Sequence, residues 1–189
     1  MNEDTAVWPL SLRLIHWASA ALVLGTLGLG AYMVQLVHDP AERFELTQAH
    51  KSIGIVVLAL AVGRLCLRIL TTAPKPEPAT PLMLMAARTA HIALYALLVL
   101  MPLSGWLMAT TTPVRVPTFI FGLVELPYPL LPDLPTYRVA HVIHVLSAIL
   151  LSSLIALHVA AALIHALLWR DRTLVRMWRK RRAESRISP

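Results

Sequence analysis

The stretch that decides the fold is VAHVIHVLSAILLSSLIALHVAAALIHALLW, residues 139–169. It is almost wholly apolar, and it exceeds the roughly 20 residues that a helix needs to cross a hydrocarbon core about 30 Å thick. Two of its histidines, His144 and His158, are fourteen residues apart. Along a helix this is about 21 Å and a return to within roughly 40° of the same direction. An imidazole is costly inside lipid unless it serves a function, so each of these histidines predicts a partner.

The composition of the whole chain is that of an integral membrane protein. Of the 189 residues, 57% are hydrophobic and 14% are charged, and the mean hydropathy is +0.67. Four apolar stretches are long enough to span a bilayer as helices, and they cover residues 12–37, 49–70, 88–110 and 139–169. We therefore predict an all-α, four-helix membrane bundle that forms a single domain over residues 1–189, without a cleaved signal segment.

The lysines and arginines predict the orientation of the bundle. Thirteen of the 17 fall on the side that holds both termini, and eight of those follow Trp169. By the positive-inside rule, both termini are predicted to be cytoplasmic. The basic tail, residues 170–189, holds Trp178 among arginines and directly follows a span. This pattern favours anionic lipid at the membrane surface, and no nucleic acid partner is expected.

In this orientation four histidines fall at two matched depths. His16 and His158 lie near the inner ends of their spans, whereas His50 and His144 lie near the outer ends. A bundle core accepts a cofactor between side chains of facing helices, so each depth predicts one cofactor site. His141 competes with His144 for the outer position, but it lies about 100° away from the face of His158, and we favour His144.

The ligand types narrow the choice of cofactor. Zinc normally needs a third or fourth ligand, and the nearest carboxylates, Glu42, Glu45 and Asp171, lie outside the apolar spans. An iron porphyrin with two axial ligands asks for two imidazoles from two helices. Cys66 is the single cysteine, so an intramolecular disulfide is excluded, and no Cys-x-x-Cys-His motif is present for haem c. The sequence therefore predicts two haem b groups, one above the other.

Short motifs along the chain resemble those of prokaryotic cytochrome b561. They are Ile15-His16-Trp17, His50 with Gly54, Arg64 with Arg68, Pro102 with Ser104-Gly105, Leu157-His158, and the pattern of Trp169, Asp171, Thr173, Leu174, Arg176 and Met177. The resemblance covers essentially the whole chain. It implies a four-span protein of the bacterial inner membrane with two b haems, whose iron ligands by position are His16, His50, His144 and His158. It also implies quinone as the membrane partner and superoxide as an electron donor.

We expect transfer of single electrons, because an iron with two axial imidazoles has no open position for a substrate. The most specific function that the resemblance implies is that of a superoxide:quinone oxidoreductase, or superoxide oxidase. Two alternatives stay open. One is a cytochrome b subunit that accepts electrons from a periplasmic protein or a partner dehydrogenase. The other is a small membrane transporter or metal-binding protein that uses its histidines for protons or metal.

Basic side chains near each level are the remaining candidate site residues. At the outer level, Lys51 and Arg138, together with Arg43 and Arg115, are predicted to steer an anionic donor. At the inner level, the candidates for contacts to a quinone or to haem propionates are Arg13, Arg88, His91 and His165. The connection 111–138 mixes six prolines with large apolar side chains, so it is predicted to cover part of the bundle or to dip into the interface.

Overall fold

The computed structural model describes residues 7–75 and 77–178, and its main elements are four long helices. The helices are α1 (Leu10–Gln35), α2 (Pro40–Leu70), α3 (Pro81–Thr111) and α4 (Leu134–Ile164), then one π-helical turn (His165–Trp169) and the short α5 (Val175–Trp178). Two short strands, β1 (Phe119–Ile120) and β2 (Val124–Glu125), lie between α3 and α4. The four long helices are long and apolar enough to cross a membrane, which confirms the predicted all-α multi-pass bundle. Most of the predicted basic tail, residues 179–189, lies outside the described residues.

Polar caps decide where three of the helices begin. The side chain of Asp39 accepts hydrogen bonds from two backbone N–H groups of the first turn of α2, at 2.8 and 2.9 Å. Thr80 and Asp133 cap α3 and α4 in the same way, and a proline occupies the first turn of each of these three helices. A cap satisfies N–H groups that have no partner within the helix, and proline lacks the N–H that would otherwise need one.

Because of these caps, the helices extend beyond the predicted spans. α2 begins at Pro40 and not at residue 49, α3 at Pro81 and not at residue 88, and α4 at Leu134 and not at residue 139. Hydropathy detects only the part of a helix that suits lipid, whereas capping sets the start of helical hydrogen bonding. α1 differs in the other direction, since it ends at Gln35, two residues before the predicted limit.

The buried core is small and lies between the two histidine levels. Its members are Val23, Val57, Ala61, Leu98, Met101 and Leu151. Leu151 is seven residues from both His144 and His158, and Val57 is seven residues beyond His50. Seven residues are about two helical turns, so these side chains form a layer roughly midway between the levels. The two histidine levels are therefore separated by a layer of apolar side chains.

The connection between α3 and α4 folds back onto α2. β1 and β2 pair as an antiparallel hairpin, and Phe121 in its turn has a left-handed backbone with φ 49°. Gln48 Oε1 accepts a hydrogen bond from the Phe119 N–H at 3.0 Å, and Ser52 Oγ accepts one from the Phe121 N–H at 2.9 Å. Gln48 and Ser52 flank His50 in sequence, so the hairpin covers α2 beside the outer histidine. The sequence predicted a covering segment here but not a hairpin.

At the opposite end of the bundle, the segment after α4 docks against two other parts of the chain. This end, which holds the start of α1, is called the inner end. Arg176 forms an ion pair with Glu77 of the α2–α3 connection at 2.6 Å and donates a hydrogen bond to the carbonyl oxygen of Lys75. The indole N–H of Trp17 on α1 donates to the carbonyl of Met177 at 3.1 Å. These contacts join the start of α1, the α2–α3 connection and the residues after α4.

Candidate functional site

Four histidines from three helices form two facing pairs, one at each end of the core. At the outer end, the ring centroids of His50 on α2 and His144 on α4 are 6.2 Å apart, with 75° between the ring planes. At the inner end, the centroids of His16 on α1 and His158 on α4 are 6.4 Å apart, with 71° between the planes. The structure thus brings together the same two pairs that depth along the chain predicted.

Both separations suit one iron held between two imidazoles. Metal–imidazole bonds are about 2 Å long and a ring centre lies about 1 Å behind its nitrogen, so two opposed ligands hold their ring centroids about 6 Å apart. Within residues 7–75 and 77–178, no three His, Cys, Asp or Glu side chains group around a site for a bare metal ion. A pair of imidazoles is nevertheless sufficient for a porphyrin iron, because the porphyrin supplies the other four nitrogen ligands. The donor set therefore fits haem b.

Hydrogen bonds orient the outer imidazole of α4. Nδ1 of His144 lies 3.0 Å from the carbonyl oxygen of Met101 and 3.2 Å from Oγ of Ser104, both on α3. A carbonyl can only accept, so Nδ1 carries the hydrogen and Nε2 keeps its lone pair. A histidine that ligates a metal commonly donates its other ring N–H in this way, which fixes both the tautomer and the ring direction.

His141 does not take the outer position. It is exposed and stacks on Tyr137 of the same helix, with ring centroids 6.2 Å apart and planes 27° apart. His144, three residues further along, points about 60° away around the helix and faces the core. The geometry therefore agrees with the helical phase that favoured His144.

Two glycines lie directly against the outer pair. A Cβ added to Gly105 would stand 3.0 Å from Cε1 of His144, and one added to Gly30 would stand 3.2 Å from Cε1 of His50. Gly54, which forms a motif with His50 in the sequence, has nothing within 4 Å of such a Cβ. Gly30 was missed because its contact is with another helix, although its position fourteen residues after His16 was a usable signal.

An apolar cavity adjoins the outer pair. It contains about 360 Å³ of space free of protein atoms, which includes space open to the surroundings of the bundle. Its walls include His50, His144, Gly54, Val57 and Leu151, so it extends from the outer pair towards the apolar layer. Gly54, where an added Cβ would meet nothing within 4 Å, lies along this space.

The inner pair has more polar neighbours than the outer pair. The ring of His91 on α3 lies 5.6 Å from the ring of His158, centroid to centroid. The guanidinium carbon of Arg64 on α2 lies 5.2 Å from the centre of the Tyr95 ring on α3. Arg64 also interacts electrostatically with the imidazoles of His16, His91 and His158. The sequence analysis used Arg64 as positive charge on the inner side and, with Arg68, as a motif of the family resemblance, but missed its place in this cluster.

His165 lies beyond the inner pair, in the π-helical turn that follows α4. Its Nδ1 forms a hydrogen bond with Oδ2 of Asp171, while the Thr173 N–H donates to Oδ1 of Asp171 at 2.8 Å. Arg170 has a left-handed backbone, φ 51°, and turns the chain back so that Asp171 reaches His165. Burial raises the pKa of Asp171, but the hydrogen bonds from His165 and Thr173 outweigh burial and lower this pKa below its ordinary value.

The basic residues predicted at the two levels differ in how firmly their side chains are held and in how exposed they are. Arg13 donates to two backbone carbonyls of α5, at 2.7 and 3.4 Å, and thus helps to hold the docked segment. Lys51 is half-buried and donates to Oγ1 of Thr118 at 2.9 Å. Arg88 and Arg138 are exposed. Arg43 and Arg115 are also exposed, but each donates a hydrogen bond to a backbone carbonyl, that of Val37 and that of Leu130.

Four membrane-crossing helices with two opposed imidazole pairs between them define a membrane cytochrome of the b type. The chain belongs to the prokaryotic cytochrome b561 family, whose model matches residues 7–180. It is 34% identical, over 163 residues, to cytochrome b561 homolog 2 of Escherichia coli (strain K12), and the match covers 86% of each chain. The protein is therefore a multi-pass membrane cytochrome that binds haem b and transfers electrons. This conclusion takes the place of the alternative that the protein is a small membrane transporter.

Proposed function

We propose that the protein binds two b haems, the inner one between His16 and His158 and the outer one between His50 and His144. The observation that carries this proposal is the imidazole separation of 6.4 and 6.2 Å at two levels of one bundle. Haem b supplies reversible one-electron chemistry when bound. The residues of the chain hold the ligands in place and exclude water through the apolar layer around Leu151.

The protein resides in the bacterial inner membrane with both termini in the cytoplasm. The excess of lysine and arginine at the inner end supports this orientation by the positive-inside rule. The outer pair and the hairpin then face the periplasm. The inner pair and the docked segment after α4 face the cytoplasm.

The electron donor is superoxide, and the acceptor is a membrane quinone. Arg138 is exposed near the outer end, and Arg43 and Arg115 lie on the same side, so a small anion is attracted towards the outer pair. Each of two superoxide anions loses one electron and becomes dioxygen. The quinone gains the two electrons and two protons and becomes the quinol, so charge and atoms balance.

The quinone approaches the inner pair from the lipid. His91 is exposed at the bundle surface and is in ring contact with His158, which supports a quinone site beside the inner haem. His165, whose Nδ1 is hydrogen-bonded to Asp171, is a second polar side chain at this end. Arg88 is exposed at the same end, whereas Arg13 is engaged by α5.

A specific surface feature favours a second candidate function, a cytochrome b subunit reduced by a periplasmic protein. Phe121, Leu123 and Val124 at the tip of the hairpin are 58%, 85% and 60% exposed. Exposed apolar patches beside a redox site are suited to docking a protein partner. In this case the hairpin, and not the arginines, would recognise the donor.

The experiment begins with the haem content of the purified protein. We expect a reduced-minus-oxidised spectrum with b-type bands and two haems per chain. The oxidised protein is then exposed to an enzymatic superoxide source, with a short-chain ubiquinone present and absorbance followed in time. We expect reduction of the haems and formation of quinol, both abolished by added superoxide dismutase.

Two outcomes would contradict the proposal at different points. One haem per chain would refute the arrangement of two haem sites. Two haems that stay oxidised with superoxide, but are reduced by a periplasmic protein donor, would exclude superoxide and support the second candidate. Arg138→Gln is expected to slow reduction by superoxide severalfold at low salt, with little change at high salt, because screening weakens attraction between exposed charges.

A further inference from the structure

Each long helix contributes one residue to each histidine level, and the two residues are always fourteen positions apart. The outer and inner members are Gly30 and His16 on α1, His50 and Arg64 on α2, Gly105 and His91 on α3, and His144 and His158 on α4. Fourteen residues return a helix to nearly the same face, so both levels are built on one frame of four helices. The outer level holds two histidines and two glycines. The inner level holds three histidines and one arginine.

Contacts between helices show that these positions are neighbours in space. Gly30 lies against His50 and Gly105 lies against His144 at the outer level. At the inner level, His91 is in ring contact with His158, and the guanidinium of Arg64 lies over Tyr95, one helical turn from His91 on α3. At each level, two of the four positions lie outside the facing histidine pair. At the outer level these are Gly30 and Gly105, which are neutral and have no side chain. At the inner level they are the basic residues His91 and Arg64.

None of the four long helices places a carboxylate near the charge of Arg64. The sequences of α1, α3 and α4 contain no aspartate or glutamate. On α2, the acidic residues Glu42 and Glu45 lie at the outer end, at least nineteen residues from Arg64, or about 28 Å along the helix. Neither ion pair found in the described part of the chain involves Arg64. A charged side chain within a membrane span is expensive and generally serves a function.

Tyr95 accounts for how the cation is held. Its ring faces the guanidinium at 5.2 Å, which is within the range of a cation–π interaction. Both side chains are half-buried between α2 and α3. The tyrosine ring stabilises the arginine without neutralising it, so the positive charge acts on the neighbouring imidazoles.

We propose that Arg64 raises the reduction potential of the inner haem above that of the outer haem and so directs electrons inwards. This inference rests on the proposed two-haem function. Reduction adds one negative charge to a haem, and a fixed cation nearby stabilises the reduced form. Gly30 and Gly105 supply no such charge at the outer level. Lys51 remains a cation there, but it lies outside the eight positions of the two levels, and its ammonium is held at Thr118 of the outer connection. Arg64 is a positioning and tuning residue, not a ligand.

The test is an optical redox titration of the complete, haem-loaded protein. In Arg64→Gln, the ratio of reduced to oxidised inner haem at a fixed potential is expected to fall about tenfold, which is 59 mV for a one-electron couple. The same ratio for the outer haem is expected to change less than threefold. Arg64→Lys keeps the charge and should restore most of the inner potential.

Arg68→Gln is the matched control for the loss of one positive charge from α2. Arg68 lies one turn beyond Arg64 and packs over Trp8 at the inner end, with 5.2 Å from its guanidinium carbon to the ring centre. We expect this variant to change the ratio of reduced to oxidised inner haem less than threefold.

Tyr95→Glu is a second variant that keeps Arg64 but places a carboxylate beside it. In this variant, the ratio of reduced to oxidised inner haem should fall about as much as in Arg64→Gln.

The outcomes separate the inference from the proposed function. Fewer than two haems in the unaltered protein would refute the two-haem function itself. If two haems are bound, equal changes of both potentials, or an unchanged inner potential in Arg64→Gln, would overturn the role of Arg64. If Arg64→Gln does not bind the inner haem, Tyr95→Glu carries the same test, and an unchanged inner potential there would overturn it.

Discussion

Gly105 of α3 lies directly against the imidazole of His144 of α4. A Cβ at this glycine would be 3.0 Å from Cε1 and 3.2 Å from Nδ1 of the ring, whereas ordinary van der Waals contacts of this kind are 3.4–4 Å. The missing side chain lets α3 approach α4 closely enough for the carbonyl of Met101 to accept a hydrogen bond from His144. Close helix packing and ligand orientation at the outer level therefore depend on the same glycine.

Gly105→Ala is expected to weaken binding of the outer haem. The added methyl group pushes the ring of His144 away from Met101, and loss of such an orienting hydrogen bond typically costs 10–100-fold in affinity for the metal group. Haem content measured after dilution should fall from two towards one per chain. Gly28→Ala on α1 is the control, because its Cβ meets nothing within 4 Å. Equal haem content in the two variants would show that His144 does not need this contact.

Replacement of single histidines should remove single haems. His50→Ala or His144→Ala is expected to leave one haem per chain, with the spectrum and potential of the inner site. His16→Ala or His158→Ala should leave the outer one. The measurement is haem stoichiometry together with a redox titration of the haem that remains.

His141→Ala is the control for the ligand variants. His141 is exposed and stacks on Tyr137, so its removal should leave both haems bound. Loss of the outer haem in this variant, with its retention in His144→Ala, would mean that the ligand assignment on α4 is wrong.

Ser52→Ala is expected to loosen the hairpin at the outer end. Ser52 is 1% exposed, and its hydroxyl accepts the Phe121 N–H and lies 3.2 Å from the carbonyl of Phe119. Leaving such buried partners unpaired costs about 1–3 kcal/mol, so the hairpin should become more sensitive to protease. Ser153→Ala is the control, since Ser153 is exposed and its hydroxyl bonds only within α4. Equal cleavage rates in the two variants would mean that Ser52 does not hold the hairpin.

The stability contributed by Asp171 should depend on pH in a defined direction. Its pKa is lowered in the folded protein, so its contribution is complete above the ordinary value of about 3.8 and is lost as pH falls through the lowered pKa. Asp171→Asn should therefore lower the thermal midpoint in detergent by a similar amount at pH 6 and pH 8. The difference from the unaltered protein should shrink in strong acid. A difference that grows as the pH falls would contradict this sign.

The four spans and the pairing of histidines by depth could be predicted because both depend on position along a helix. The rise per residue converts sequence distance into depth, and hydropathy identifies the segments that cross the lipid. Helical phase also favoured His144 over His141. These properties belong to one helix at a time and do not require knowledge of its neighbours.

The hairpin and the bond between His165 and Asp171 could not be predicted in this way. The hairpin depends on side chains of α2 that accept hydrogen bonds from backbone N–H groups far along the chain, such as Gln48 from Phe119, 71 positions away. The bond between His165 and Asp171 depends on a π-helical turn and on the left-handed backbone of Arg170, for which the sequence carries no periodic signal. Both follow from how the segments meet in space.

The sequence by itself determined an apolar four-helix bundle with imidazoles at two depths, because hydrophobicity and helical repeat act locally. Only the tertiary structure decided what surrounds each imidazole pair. It brought glycines against the outer rings and placed Arg64 and His91 in the cluster around His158. Contacts between helices depend on their relative rotation and distance, which arise from the packing of all four helices together.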